Sequence, residues 1–427
     1  MWIDRQPIPV IPRPPNRLLR AVFTALIIVW LGGCAALPPP RAFVNVVTPG
    51  VLERGDRARR NVRVFDQVWD WVNRRYYDAQ FNGADWAGAR ERHRAAALAA
   101  TDDVALYTAL NTMLAELHDA HAHALSPREV EEQERRHGVL IGFRTGPVGG
   151  PPGRRLIEEV FPGSPAATAG VQPGWVLVAA DGRTPGEVLG VGKLHDGQVV
   201  HCEFLDDRET PRTLALKARK MSIPPVLEAR PLPDDRWLLR FDYFDLQAAD
   251  WVRQQLDAHR KARGVIIDLR ENRGGEGRAL ASILGSVMAP RSHLGTTIAR
   301  GATPDAHRAP KPWFTDHYKG PLAVLVSDQT ASAAEIMAHV VQYHHRGPIV
   351  GTTTSGHVLV SVFWWLPGGG ELQLSVYDYR GPGGDRLEGR GVTPNVAVVP
   401  PGVRDRRAPD PVVEAAVAAL HAQKATR

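Results

Sequence analysis

The sequence predicts a multi-domain α/β protein. Three observations predict it. The first part of the chain repeats apolar residues every three or four positions. The middle is rich in short alternating runs and Pro-Gly turns, and in the second half buried-type strands alternate with helices. The 427 residues give room for two or three domains, and 44% hydrophobic residues is ordinary for a globular chain.

The net charge is +6, and half of it lies in the first 33 residues, where Arg5, Arg13, Arg17 and Arg20 face Asp4 alone. The remainder is nearly balanced and has no basic stripe interleaved with aromatics, so nucleic acid is not an expected partner. Arg17 and Arg20 precede the apolar run Ala21 to Leu31, which is short for a membrane span. Leu31-Gly-Gly-Cys34 follows. This resembles the lipobox of bacterial lipoproteins, which implies a signal peptide over 1–33 and lipidation of Cys34. A lipid there implies a periplasm-facing lipoprotein of the bacterial cell envelope, in the outer membrane, tethered by a Pro-rich linker over 34–60. Cys202 then has no partner, so no disulfide framework is expected.

Residues 61–130 read as a helical domain. Phe65, Val68, Trp69, Val72 and Tyr76 form one stripe, Asn82-Gly83 breaks it, and a second helix spans Ala84 to Ala100. Thr101 is placed to cap a third, through Leu106, Leu110, Leu114 and Leu117. Residues 137–221 change to strand character. Val139 to Phe143 reads as a strand, Ile157 to Phe161 alternates, and Ser164 and Gly170 cap and stop a short helix. The run Ser164-Pro-Ala-Ala-Thr-Ala-Gly170 to Gly174 resembles the signature of bacterial protease PDZ domains, with Trp175 where that family has Asp. The resemblance implies capture of an extended peptide, with Leu140, Ile141, Gly142 and Phe143 as its carboxylate-binding loop.

Residues 222–400 read as an α/β core, followed by a C-terminal helix and tail over 401–427. Strands are expected at Arg236–Phe241, Gly264–Leu269 and Leu322–Val326. Helices are expected from Ala248 to Arg263, through Met288, and from Ala331. A hairpin joins Val358–Leu366 to Leu372–Tyr379. Ser332 falls at a strand-to-helix turn, where free N–H groups favour an oxyanion. Ser332-Ala-Ala-Glu335 also fits a capping box, in which the serine only ties off the helix. The Gly274-Gly275 pair follows another buried strand, so N–H groups from Gly274, Gly275 and Ala333 are candidate oxyanion donors.

Four stretches follow one another in order: Val265-Ile-Ile-Asp-Leu-Arg-Glu-Asn-Arg-Gly-Gly275, Thr330-Ala-Ser-Ala-Ala-Glu335, Gly351-Thr-Thr-Thr-Ser-Gly-His357 and Glu388-Gly-Arg-Gly-Val-Thr-Pro-Asn395. As a set they resemble the S41 family of C-terminal-processing and tricorn-like serine peptidases. The resemblance implies a crotonase/ClpP-like core, polypeptide substrates, no cofactor, and Ser332 as nucleophile. Processing members carry a lysine base where this chain has His357, and the only lysine after Ser332 is Lys424. Tricorn-like members take a histidine from a motif matched by Leu117-His-Asp-Ala-His121, and an acid matched by Glu388, although their preceding serine is Ala120 here. Two bases stay open: His121 with Glu388, or His357 alone. If residues 117–121 are helical, His118, His121 and His123 gather three imidazoles, but no carboxylate or cysteine at ligand spacing joins them, and no metal is expected. A non-catalytic module holding hydrophobic ligands or peptides is the alternative function. The oligomeric state is not legible.

Overall fold

The computed structural model describes residues 57–134, 137–147, 153–189, 193–311, 316–399 and 409–425. The leader over 1–33, Cys34 and most of the linker lie outside them.

Helix α1 (Arg57–Arg75) buries Val64, Phe65, Val68 and Val72 along one stripe. Asp85 caps α2 (Trp86–Ala99). Helix α3 (Asp103–Ala115) is capped not by Thr101 but by Asp102, whose extended backbone lets its carboxylate accept the Ala105 N–H at 2.8 Å. The helix stops before Leu117. His118 turns left-handed at φ +50°, and the chain enters strand β1 (His123–Leu125), paired antiparallel with Leu372 and its neighbours far along the chain. The three helices therefore share one core with the later hairpin, where Leu366, Leu372, Leu374 and Val376 are buried against them.

Helix α4 (Pro127–Glu134) leads to β2 (His137–Leu140) and β3 (Phe143–Pro147). The single strand expected over Val139–Phe143 is broken at Gly142, where φ is +97° and a Cβ would lie 2.1 Å from that of Ser164. Next come β4 (Arg155–Val160), α5 (Pro165–Thr168), β5 (Val176–Ala180), α6 (Pro185–Val188), β6 (Val199–Leu205), β7 (Pro211–Lys217) and β8 (Arg219–Ser222). Strands β3 to β7 make one five-stranded antiparallel sheet in chain order, while β2 pairs with β8. Entry and exit are thus hydrogen-bonded to each other, as an inserted unit requires. Ser164 caps α5 as expected, accepting from Ala167 at 3.0 Å, and Trp175 packs edge-on against Phe204.

The core continues through β9 (Leu227–Leu232), β10 (Arg236–Phe241), α7 (Leu246–Ala258), β11 (Gly264–Asp268), α8 (Gly277–Val287), β12 (His293–Ala299), β13 (Asp305–Arg308) and β14 (Leu322–Val326). After these come α9 (Ala333–Tyr343), β15 (Ile349–Gly351), β16 (Val360–Trp365), β17 (Glu371–Arg380), β18 (Val396–Ala397) and α10 (Pro411–Ala425). Asp245 starts α7 two residues earlier than expected, accepting the Ala248 N–H at 2.7 Å. One sheet runs β18-β15-β14-β11-β10-β9, parallel except at β9. Every residue of β11 and β14 is buried because both faces are covered. Residues of α7, α8 and α9 pack with one face, and Val412, Val413, Ala416 and Leu420 of α10 pack on the other. A second sheet runs β1-β17-β12-β13, with β16 also on β17.

Candidate active site

Strand β14 ends at Val326, and Thr330 ties the following turn to β11: it accepts the Ser327 N–H at 2.9 Å and donates to the Leu269 carbonyl at 2.9 Å. Ser332 then adopts φ +55°, ψ −122° just before α9. A serine that caps a helix takes extended backbone, as Ser164 does at φ −74°, ψ 165°. Ser332 lies instead in a sparsely populated region that costs about 1–3 kcal/mol and is found at strained strand-to-helix elbows carrying nucleophiles. Capping alone does not account for this conformation.

Glu335 completes the elbow. Its buried carboxylate accepts five hydrogen bonds: Thr354 Oγ1 (2.5 Å) and the Gly356 N–H (2.7 Å) on Oε1, and the Ser332 N–H (3.0 Å), Ser355 Oγ (3.0 Å) and the His357 N–H (2.9 Å) on Oε2. The Ser332 N–H also reaches the His357 carbonyl at 2.8 Å. The Thr354–His357 turn is thereby fastened to the serine. Sequence reading treated Glu335 as half of a capping box and missed this larger role.

The diglycine turn stands behind the serine. A Cβ on Gly274 (φ +97°) would lie 2.6 Å from the Ser332 Cβ, and one on Gly275 (φ +142°) would lie 2.4 Å from the Phe244 carbonyl. Buried Asn272 shapes the turn by donating to the Phe241 carbonyl at 2.9 Å and accepting the Gly274 N–H at 2.8 Å. The Gly274 N–H, expected as an oxyanion donor, thus already has an acceptor. Among the described residues the Gly275 N–H has no acceptor. Ala333 opens α9, where no carbonyl one turn earlier in the helix receives its N–H.

The histidines and carboxylates named from sequence converge here. His121 is mostly buried, and its Nδ1 stands 3.8 Å from Oδ1 of fully buried Asp119. Burial holds the imidazole below its ordinary pKa, against the opposing pull of Asp119, and the charges of His357, His123 and Glu335 are also felt there. His357 is exposed. Glu388 accepts the Val358 and Leu359 N–H groups on Oε2 at 2.7 and 3.1 Å. Burial raises its pKa, and Asp119 and His357 are its charged neighbours. The carboxylate beside His121 is thus Asp119 rather than Glu388. Asp119 was visible as the D of the D-x-H motif but carried no assignment. Its hydroxyl neighbour is Tyr76, whose phenol is pushed well above its ordinary value by burial and then by Asp119.

Residues 117–121 form a turn, so His118 and His121 do not share a helical face, and the spacing that suggested a three-imidazole metal site is lost. Leu140 to Phe143 lie away from this cluster, at the β2–β3 break, where the Ile141 carbonyl accepts the Ala166 N–H at 2.9 Å and the Gly142 carbonyl accepts Ser164 Oγ at 3.0 Å.

The family model described as peptidase family S41 matches residues 238–398, a span holding Ser332, His357 and Glu388, and that of the tricorn protease C1 domain matches 61–115. A carboxyl-terminal-processing protease of Synechocystis sp. is 30% identical over 357 residues, covering 78% of this chain and 80% of its own. Tricorn protease homolog 1 of Streptomyces coelicolor is 26% identical over 390 residues, 83% of this chain and 34% of its own. Solved structures with the same fold include the photosystem II D1 C-terminal processing protease (TM-score 0.52, 23% identity, 81% of this chain and 94% of that one). Mature CPAF complexed with lactacystin is another (TM-score 0.57, 13% identity, 80% and 94%).

Proposed function

The chain belongs to peptidase family S41 and is a serine-type processing peptidase, and we propose from this premise that it is an endopeptidase cleaving unfolded or C-terminal polypeptide segments through an acyl-enzyme on Ser332. The strained elbow at Ser332, clamped by Glu335 next to a histidine–carboxylate cluster, is the observation that carries the proposal.

In this mechanism the Ser332 hydroxyl attacks the scissile carbonyl while neutral His121 accepts its proton. Asp119 orients the imidazole and stabilises its cation. The N–H groups of Gly275 and Ala333 receive the negative charge of the tetrahedral intermediate. Its collapse breaks the C–N bond, and His121 returns the proton to the leaving amine. Water then attacks the ester by the same route. His357 is the competing base, favoured by its carbonyl's hydrogen bond to Ser332.

Further parts of the proposal rest on sequence: attachment to the bacterial envelope through lipid on Cys34, and capture of substrate ends by a PDZ-like domain over residues 137–221. For the second, the bracing of Ile141 and Gly142 by Ser164 and Ala166 is the supporting contact. Replacing Ser332 with alanine tests the function: cleavage of an unfolded protein should vanish with unchanged melting, and continued cleavage sinks the assignment.

A further inference from the structure

Strand β16 begins three residues beyond His357, whose carbonyl holds the Ser332 N–H, and runs outward from the site. Among the described residues it pairs only with β17, so no strand covers its other edge along Val360–Trp365, about 17 Å, although the Trp365 carbonyl already accepts from Gln67 Nε2 of α1 at 3.2 Å. Proteins blunt such edges with charges or proline, because unpaired N–H and C=O groups invite another strand. The sequence Val-Ser-Val-Phe-Trp-Trp contains neither. Val362 and Trp364 turn toward the helical layer, where Trp364 lies 4.7 Å from Trp71. On the opposite face Phe363 and Trp365 are 44% and 49% exposed, beside Gln373 and Glu371 of β17, and one strand further on lie His123 and Leu125 of β1. A register shift at Val360/Ser361 bends the strand where it leaves the site.

We infer that the unpaired edge of β16 is a substrate-docking edge: an extended polypeptide adds to it as a further strand, and Phe363 and Trp365 grip its apolar side chains. The occupant follows from continuity with the nucleophile and from chemistry. A main chain in extended form satisfies a row of alternating donors and acceptors, and an unfolded segment offers one along its whole length. The inference rests on the peptidase reading above and adds the substrate class, extended segments with large apolar side chains.

The test uses the full chain carrying Ser332→Ala and fluorescently labelled β-casein as the probe. Adding Phe363→Ser and Trp365→Ser should weaken casein binding about tenfold or more, at unchanged melting temperature. In the parent chain, casein should slow amide exchange at 360–365, a readout that needs no further substitution. Unchanged affinity, unchanged exchange, or substitutions that only dissociate a dimer of this chain would overturn the docking edge. Loss of casein turnover on Ser332→Ala is independent of these results, so the peptidase reading survives or fails by itself.

Discussion

Oδ1 of Asp119 lies 3.8 Å from Nδ1 of His121, and both side chains are nearly sealed from solvent. That separation is longer than a hydrogen bond, and Nδ1 has no other partner among the described residues. Oδ1 instead accepts the His121 main-chain N–H at 2.9 Å, and catalytic pairs often tighten only with substrate bound.

Asp119→Asn should therefore lower kcat by about 100-fold or more, since it removes the charge that supports the imidazolium. Glu388→Gln should cost less, because its Oε2 serves two backbone N–H groups. Steady-state kinetics of the two variants decide the order, and the reverse order restores Glu388 as the acid.

Burial lowers the His121 pKa, so the acid limb of kcat/KM should fall below the ordinary histidine value of about 6.5. The same shift has a stability consequence. Because the unfolded chain protonates this histidine first, the stability it contributes is full above the unfolded value and is lost as pH falls through the folded one. His121→Ala should abolish the limb and cost several orders of magnitude in rate; if His357→Ala does so instead, the base is His357.

Glu335→Gln places an amide among five donors and leaves at least one backbone N–H unpaired. A loss of about 2 kcal/mol in denaturant unfolding is expected, with turnover falling further because the Ser332 and His357 main chains are no longer fastened.

Gly274→Ala puts a methyl group 2.6 Å from the Ser332 Cβ and 3.0 Å from both the Ala331 carbonyl and the Ala333 nitrogen, at φ +97°. Backbone strain of about 1–3 kcal/mol follows, and labelling of Ser332 by a fluorophosphonate should slow sharply while far-UV circular dichroism stays native.

The parallel core was legible in the sequence because β11 and β14 are buried on both faces and therefore read as unbroken apolar runs. Ser332 was legible from its place between a strand and a helix, but its strain was not, since a serine, unlike a glycine, gives no sign of a positive φ. Asp102 took the cap from Thr101 because a carboxylate on extended backbone reaches the helix N–H groups and also favours their positive end. The hydrogen bonds of Glu335 escaped notice because most of its partners lie in a turn beyond α9. No periodicity announces that three N-terminal helices and a distant hairpin share one core, so β1 was missed altogether.

That shared core has a consequence for biosynthesis. Strand β1, just beyond His121, finds its partner at Gln373, roughly 250 residues later. However the chain is made, the helical layer and the turn carrying His121 have no sheet to dock on until β17 exists to pair with β1.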